Sequence, residues 1–384
     1  MTATHGRLKV LLVSQPTIGG AAQQVLTLAT RLDRQRFDVV VASPEQGWLP
    51  EKLAAAGVRH LTLGLARDIQ PLRDVSSLGA LLGLLKRESP QIVHLHSSKA
   101  GFLGRLAASL GRVPAVIYTP HGFAFAQARG AAGWFYLWLE RFAGLLTDRI
   151  VTVSASERAV ALGRLVAAPG KVVVIPNGVD IPPTPLPTTG VLRALADADT
   201  SVCLVAMVSR LRRPKHPEEL LRAAALLDSP GSRYRIRFVF IGSGPLEAEA
   251  IALANQLDVG RRVVFLGERS DVPALMPDID VLVLASSSEG MPFSLLEAMA
   301  AGKPVVGSRV PGIEDLILDG RNGFCYSPGD VEGLARILMD LAVKPDLRRR
   351  LGQEGQRMVE ANYTSEQMVA ATQNLYESLV PPGA

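Results

Sequence analysis

The sequence predicts an α/β protein built as two doubly wound, Rossmann-like halves. Short apolar runs alternate with amphipathic stretches along most of the chain, the pattern of repeated βα units and a parallel sheet. The alternation breaks at Pro182-Pro183-Thr184-Pro185-Leu186-Pro187 and then restarts, and four prolines in six residues exclude helix and central strand there. The length, 384 residues, allows two or three domains.

Strands of the first half are expected at Leu8–Val13, Asp38–Ala42, Val58–Leu63, Ile92–His96, Ala115–Tyr118, Ile150–Val153 and Val172–Ile175. Helices such as Ala21–Leu32, Gly101–Leu110 and Ser156–Leu165 fall between them. The second half repeats the scheme with strands at Val202–Val208, Arg237–Ile241, Val263–Leu266, Val281–Leu284 and Pro304–Val306. Ser365–Leu379 has helical spacing. This divides the chain into a first domain (1–181), a proline-rich linker (182–190), a second domain (191–364) and a terminal helix (365–384). The two domains face a cleft in this reading.

Composition narrows the class. Apolar content of 48% and charged content of 20% suit a packed globular chain. The two cysteines, Cys203 and Cys325, sit in apolar stretches, which argues against a disulfide framework and for a reducing, cytoplasmic setting. No apolar run reaches the ~18 residues that a membrane span needs. Residues 1–185 carry 20 Lys and Arg against 11 Asp and Glu, a net of +9, whereas residues 186–384 carry a net of −4. A basic first half suits an anionic partner: a membrane surface, a phosphorylated acceptor or a nucleic acid. A solvated mixed surface is the plain alternative.

The most informative stretch is Glu289-Gly290-Met291-Pro292-Phe293-Ser294-Leu295-Leu296-Glu297. It follows the apolar run Asp280–Ala285, so it reads as strand, loop and helix. Glu289 then lies at the carboxyl end of a parallel strand, where open α/β sheets bind ligands. The following helix start offers free amides and a positive dipole end that suit phosphate. A carboxylate accepts hydrogen bonds from paired hydroxyls. One glutamate for a ribose, one for a second sugar and amides for the phosphates between them describe a sugar-nucleotide site. An acidic loop residue and a helix glutamate with no ligand describe the residues equally well on their own.

Arg210 and Lys215 follow the first strand of the second half and can clamp a diphosphate, with Arg212 and Arg213 as neighbours that charge alone does not separate from them. Gly242-Ser243-Gly244-Pro245 ends the next strand, with Pro245 read as the helix start. It is not the dinucleotide fingerprint, and neither is Gly19-Gly20 after the first strand, which weakens an oxidoreductase reading. A Gly-Gly loop opening a helix still suits a phosphate or a sugar. His121 stands at a strand end, where a histidine can donate to a sugar hydroxyl or move a proton. His94 and His96 point to one face of a strand, but no third metal ligand is evident nearby. His96, Ser97 and Lys99 could meet an acceptor. Asp278-Ile279-Asp280 reads as strand-start chemistry rather than a metal site. Ala132–Leu146, with Trp134, Phe135, Tyr136 and Trp138, is apolar nearly all round, so burial is expected, with a membrane-facing helix as the alternative.

These segments together resemble the retaining glycosyltransferases of the GT-B fold, specifically family 4. The resemblance rests on Gly19-Gly20, Thr119-Pro120-His121-Gly122, Val153-Ser154-Ala155-Ser156-Glu157, Pro176-Asn177-Gly178-Val179-Asp180, Val208-Ser209-Arg210-Leu211 with Lys215, Gly242-Ser243-Gly244-Pro245, the E-x7-E pair Glu289 and Glu297, and Ala298–Val306, in that order. It implies an enzyme that moves a sugar from a nucleotide-diphosphate donor, UDP-linked by expectation, to a hydroxyl acceptor. It implies His121 and Glu289 on the donor sugar, Arg210 and Lys215 on the diphosphate, and Glu297 on the ribose. Gly19, Gly20, Gly244, Gly290, Met291, Pro292, Phe293 and Ser294 would line the donor, and Arg269 could stack on the base. The terminal helix would cross back to the first domain. No cofactor, metal or nucleic acid is implied. His94–Gly101 and Thr119–Phe123 look like exopolysaccharide and capsule glycosyltransferases, which leans toward a polyprenyl-diphosphate-linked sugar at the inner face of the cell membrane. The rivals are a nucleotide-sugar epimerase of the same plan and a non-catalytic sugar-nucleotide-binding protein.

Overall fold

The computed structural model describes residues 7–66, 70–128, 130–182, 188–227 and 235–380. Residues 183–187 of the expected proline-rich linker lie outside these. The chain forms two compact units: residues up to Asn177 together with Ser365 onward, and Gly178–Thr364.

The first unit holds β1 (Leu8–Ser14), β2 (Phe37–Ser43), β3 (Arg59–Thr62), β4 (Ile92–His96), β5 (Ala115–Thr119), β6 (Arg149–Thr152) and β7 (Val172–Val174). All pair in parallel, in the order β3-β2-β1-β4-β5-β6-β7. β1 and β4 are buried nearly throughout, with Val10–Val13 an unbroken apolar run and β4 carrying His94 and His96 inside its buried stretch. The helix Ser365–Leu379 belongs to this unit. It places Met368, Val369 and Tyr376 in one core cluster with Phe37 and Ile117, the Tyr376 ring standing edge-on to Phe37.

The second unit holds β8 (Cys203–Val208), β9 (Ile236–Ile241), β10 (Val263–Phe265), β11 (Val281–Leu284), β12 (Val305–Ser308) and β13 (Gly323–Tyr326), in the order β10-β9-β8-β11-β12-β13. β13 is not among the expected strands. Four residues beginning with glycine give too little pattern, and only the ladder to β12 makes them a strand. In both sheets the order reverses beside the first strand, between β1 and β4 and between β8 and β11. Such switch points leave a crevice at the strands' carboxyl ends.

Two expectations need correction. The helix after Gly242-Ser243-Gly244-Pro245 starts at Glu247: the Glu247 amide closes a tight turn on the Gly244 carbonyl at 3.0 Å, and the first helical bond runs from the Ala250 amide to the Leu246 carbonyl at 2.9 Å. The aromatic helix spans Gly130–Leu145 and is not buried: it buries Leu137, Glu140, Ala143 and Gly144, while Trp134, Phe135, Trp138, Phe142 and Leu145 are exposed. Apolar residues encircle this helix, but only one side of it packs inward, against the helices Ser98–Leu110 and Ala124–Gln127 and the Tyr118 side chain of β5.

Candidate active site

The second sheet's switch point brings the β8 and β11 loops together. The His216 amide donates to the Ala285 carbonyl at 3.0 Å, and the Ser287 amide donates to the Pro214 carbonyl at 3.0 Å. This lacing sets Lys215 beside Glu289, and the Lys215 ammonium donates to the Glu289 carboxylate. Both side chains are largely covered. Arg210 is exposed on the same loop and makes no ion pair among the described residues. Gly312, at φ +84°, lets its segment lie directly against the Glu289 and Gly290 carbonyls, where a Cβ would collide.

The helix Phe293–Ala300 starts one residue past Pro292, which caps it without a side-chain hydrogen bond. Its first internal bond runs from the Leu296 amide, so the Phe293, Ser294 and Leu295 amides have no partner within the helix. Met291 and Phe293 are buried and fix the turn, while Ser294 and Glu297 stay half-buried. An anion and a set of hydroxyls suit this arrangement of cation, carboxylates and helix start.

Gly244 lies against the Leu211 backbone, where a side chain would clash, so the loops after β8 and β9 are packed face to face. Arg269 does not project freely: its guanidinium makes bonds of 2.8 and 2.6 Å to Asp271 two residues on. Stacking on a base requires that fork to open. Asp278 and Asp280 are occupied by the protein itself. Asp278 accepts from the Gly190 and Leu192 amides and the Thr189 hydroxyl at 2.9–3.1 Å, and Asp280 accepts from Arg193 and the Leu204 amide at 2.7 and 2.8 Å.

In the first unit, Gly19 at φ +78° precedes the helix Gly20–Arg31, and both glycines are exposed. No side chain caps this helix start. At the ends of β4 and β5 three histidines gather. The His94 and His96 rings lie 4.2 Å apart, and His96 Nδ1 meets His121 Nε2 at 3.2 Å. His94 is held between the Tyr376 hydroxyl at 2.7 Å and the Thr119 hydroxyl at 2.8 Å. Burial pushes His94 and His121 down to about 3 and His96 well below its ordinary value, with like-charge repulsion among the rings adding to it for His94 and His96. His121 is therefore neutral at physiological pH. It suits hydrogen bonding to a hydroxyl and does not suit acting as a charged acid.

His96 is wholly enclosed, and its Nε2 and the Ser97 Oγ have no hydrogen-bond partner among the described residues. Lys99 is paired with Asp74 at 2.6 Å. An acceptor would reach Lys99 only in competition with that pair.

One site-building residue carries no role in the sequence reading. Glu157 is buried, and its carboxylate accepts from the Gly122 amide at 2.6 Å and the Val153 amide at 2.8 Å. It thereby ties the loop carrying His121 to the end of β6. The signal was present as a capping box: Ser154 caps the helix Ala155–Gly163 through the Glu157 amide at 3.1 Å. Spacing alone does not say that the carboxylate also reaches Gly122.

Two parallel-sheet units, with a laced switch point and an open helix start, define a glycosyltransferase of the GT-B type. The description Glycosyltransferase Family 4 matches residues 18–181, and Glycosyl transferases group 1 matches residues 197–358. The chain is 32% identical, over 88% of its length and 89% of the relative's, to the UDP-Gal:alpha-D-GlcNAc-diphosphoundecaprenol alpha-1,3-galactosyltransferase of Escherichia coli. It is 25% identical to the capsular polysaccharide biosynthesis glycosyltransferase CapM of Staphylococcus aureus, over 82% of this chain and 84% of CapM. Its fold matches Anabaena Alr3699/HepE, solved with UDP and glucose, at a TM-score of 0.82 and 20% identity, over 97% of this chain and 100% of that one. The chain belongs to glycosyltransferase family 4, and it is an enzyme that transfers a glycosyl group.

Proposed function

We propose that the protein transfers a hexosyl or N-acetylhexosaminyl group from a UDP-sugar to a hydroxyl of a polyprenyl-diphosphate-linked sugar, with retention at the anomeric carbon, in bacterial surface polysaccharide synthesis. The observation that carries this reading is the Lys215–Glu289 pair beside the open start of the helix Phe293–Ala300. The similarity to a relative named for UDP-galactose and a diphosphoundecaprenol acceptor adds the substrate classes.

Arg210 and Lys215 hold the donor diphosphate, and the Phe293, Ser294 and Leu295 amides carry the charge that grows on it as the sugar leaves. The Gly19 and Gly20 amides, at a helix start of the first unit with no side-chain cap, suit an anion. Glu289 holds donor-sugar hydroxyls, Glu297 holds the ribose, and neutral His121 hydrogen-bonds the sugar. The bond from the anomeric carbon to the β-phosphate oxygen breaks, a bond to the acceptor oxygen forms on the same face, and the acceptor proton passes to the leaving phosphate. The acceptor's lipid sets the work at the inner face of the membrane.

Incubation of the purified protein with a panel of UDP-sugars and N-acetylglucosaminyl-diphospholipid tests this reading. Mass spectrometry should show one added sugar and release of UDP, and the anomeric coupling in NMR should match the donor's. Consumption of donor without acceptor glycosylation, or product of inverted configuration, contradicts it.

A further inference from the structure

We propose that the outer face of the helix Gly130–Leu145 is a docking surface for an anionic lipid bilayer. Trp134 is 68% exposed, Phe135 51%, Trp138 62%, Phe142 41% and Leu145 77%, along one side of a single helix. Trp138 and Phe142 stack with nearly parallel rings 6.1 Å apart. Contiguous exposed aromatics mark interaction sites, and indole and phenyl rings favour the headgroup boundary.

The helix is a fixed platform. Its inward Glu140 accepts from the buried Arg105 at 2.7 Å and from the Tyr118 hydroxyl at 3.0 Å. Gly144 sits against the Val166 carbonyl with no room for a side chain. The aromatic residues face outward because the other side of the helix is committed to this core.

Charge selects the occupant. Between Gly130 and Val172 the chain has five bases and three acids. All three acids use their carboxylates inside the fold: Glu140 as above, Asp148 on the Val116 amide at 2.8 Å, and Glu157 on the Gly122 and Val153 amides. Arg141, Arg158 and Arg164 are exposed. The Arg141 Nε donates to the Arg164 carbonyl at 2.9 Å, and Arg164 borders the same groove as Trp134, Leu137 and Val160. Leu165, next to Arg164, is also exposed. An apolar face rimmed by arginines and with no outward carboxylate matches the acidic headgroups and acyl boundary of a bilayer. Among the described residues no helix is long and apolar enough to cross one, so the contact would be peripheral.

The surface deepens the reading of a lipid-linked acceptor, yet it is testable without donor or acceptor. Flotation with vesicles of equimolar phosphatidylglycerol and phosphatidylcholine should carry wild-type protein upward at low salt, and pure phosphatidylcholine should carry far less. Raising salt should weaken the first, since the screening length falls to about 10 Å at 0.1 M. Trp134→Ser with Trp138→Ser should cut flotation several-fold with an unchanged melting temperature. Arg141→Glu with Arg164→Glu should weaken partition at least about tenfold and leave the aromatic side chains in place. Three results overturn the inference: wild type that stays with the soluble fraction, variants that float like wild type, or a wild-type dimer that the tryptophan variant dissolves without any vesicle binding. A protein that floats as expected but glycosylates no lipid-linked sugar keeps this surface and loses the acceptor reading, so the two fail separately.

Discussion

Lys215 donates to the Glu289 carboxylate across 74 residues of chain, joining the two loops where the second sheet's strand order reverses. The cation proposed for the diphosphate is thus paired with the carboxylate proposed for the sugar. A bound diphosphate competes with Glu289 for the ammonium, so the pair positions Lys215 and also sets a cost on recruiting it.

Lys215→Ala should weaken UDP binding by about 1.5–3 kcal/mol, the range for charge-assisted bonds, and Arg210→Ala should do likewise. In Lys215→Ala the anion also faces an unpaired Glu289 carboxylate. Adding Glu289→Gln to Lys215→Ala should therefore recover part of the loss. Calorimetric titration of UDP into the four proteins of this cycle gives the coupling directly. Unchanged affinity in both single alanine variants removes the diphosphate clamp.

The two glutamates should separate by ligand. Glu297→Ala should weaken bare UDP, because its target is the ribose. Glu289→Gln should keep or slightly raise UDP affinity, because it releases Lys215, while transfer falls on the order of a hundredfold. Equal loss of UDP binding in both variants contradicts the division.

Acid should destabilise the first unit through its buried histidines. His94 and His96 are neutral when folded and titrate near 6.5 when unfolded. Below that value the unfolded chain binds more protons, so stability is intact at neutral pH and falls as pH drops from about 6.5 toward about 3. Each such histidine contributes a slope of up to about 1.4 kcal/mol per pH unit. His94→Gln removes one titrating group and should flatten the fall in melting temperature between pH 7 and 5, despite its lower stability at pH 7. A variant that parallels wild type across that range refutes the assignment.

Glu157→Ala strips the carboxylate from two backbone amides and should cost about 2–4 kcal/mol, since an unpaired buried donor costs about 1–3 kcal/mol. Ser154→Ala removes only the helix cap and should cost about 1 kcal/mol. Thermal melts compare the two. If Glu157 also steadies His121, it should lower the turnover rate more than Ser154→Ala does at a temperature where both are folded.

The sequence alone determined the βα repeat, the two units' strands and the order of the motif segments. A parallel strand buried on both faces favours a continuous apolar run, as in Val281–Leu284 and Val10–Val13, and such runs are local in sequence. Helix ends were less legible, as the start at Glu247 rather than Pro245 shows, and the short Gly323–Tyr326 strand was not legible, since its pattern is supplied by β12. The candidate residues were legible as types at strand ends. Their partners were not. Glu157 reaches Gly122 across 35 residues, Lys99 finds Asp74, Arg269 folds back on Asp271, and His94 meets Tyr376 from the far end of the chain. Hydrogen bonds and ion pairs of this kind depend on which loops the sheet order brings side by side, and no local pattern encodes that order. The aromatic helix shows the same limit: its composition makes it apolar all round, and only packing against the neighbouring helices and Tyr118 decided which side faces the core and which faces out.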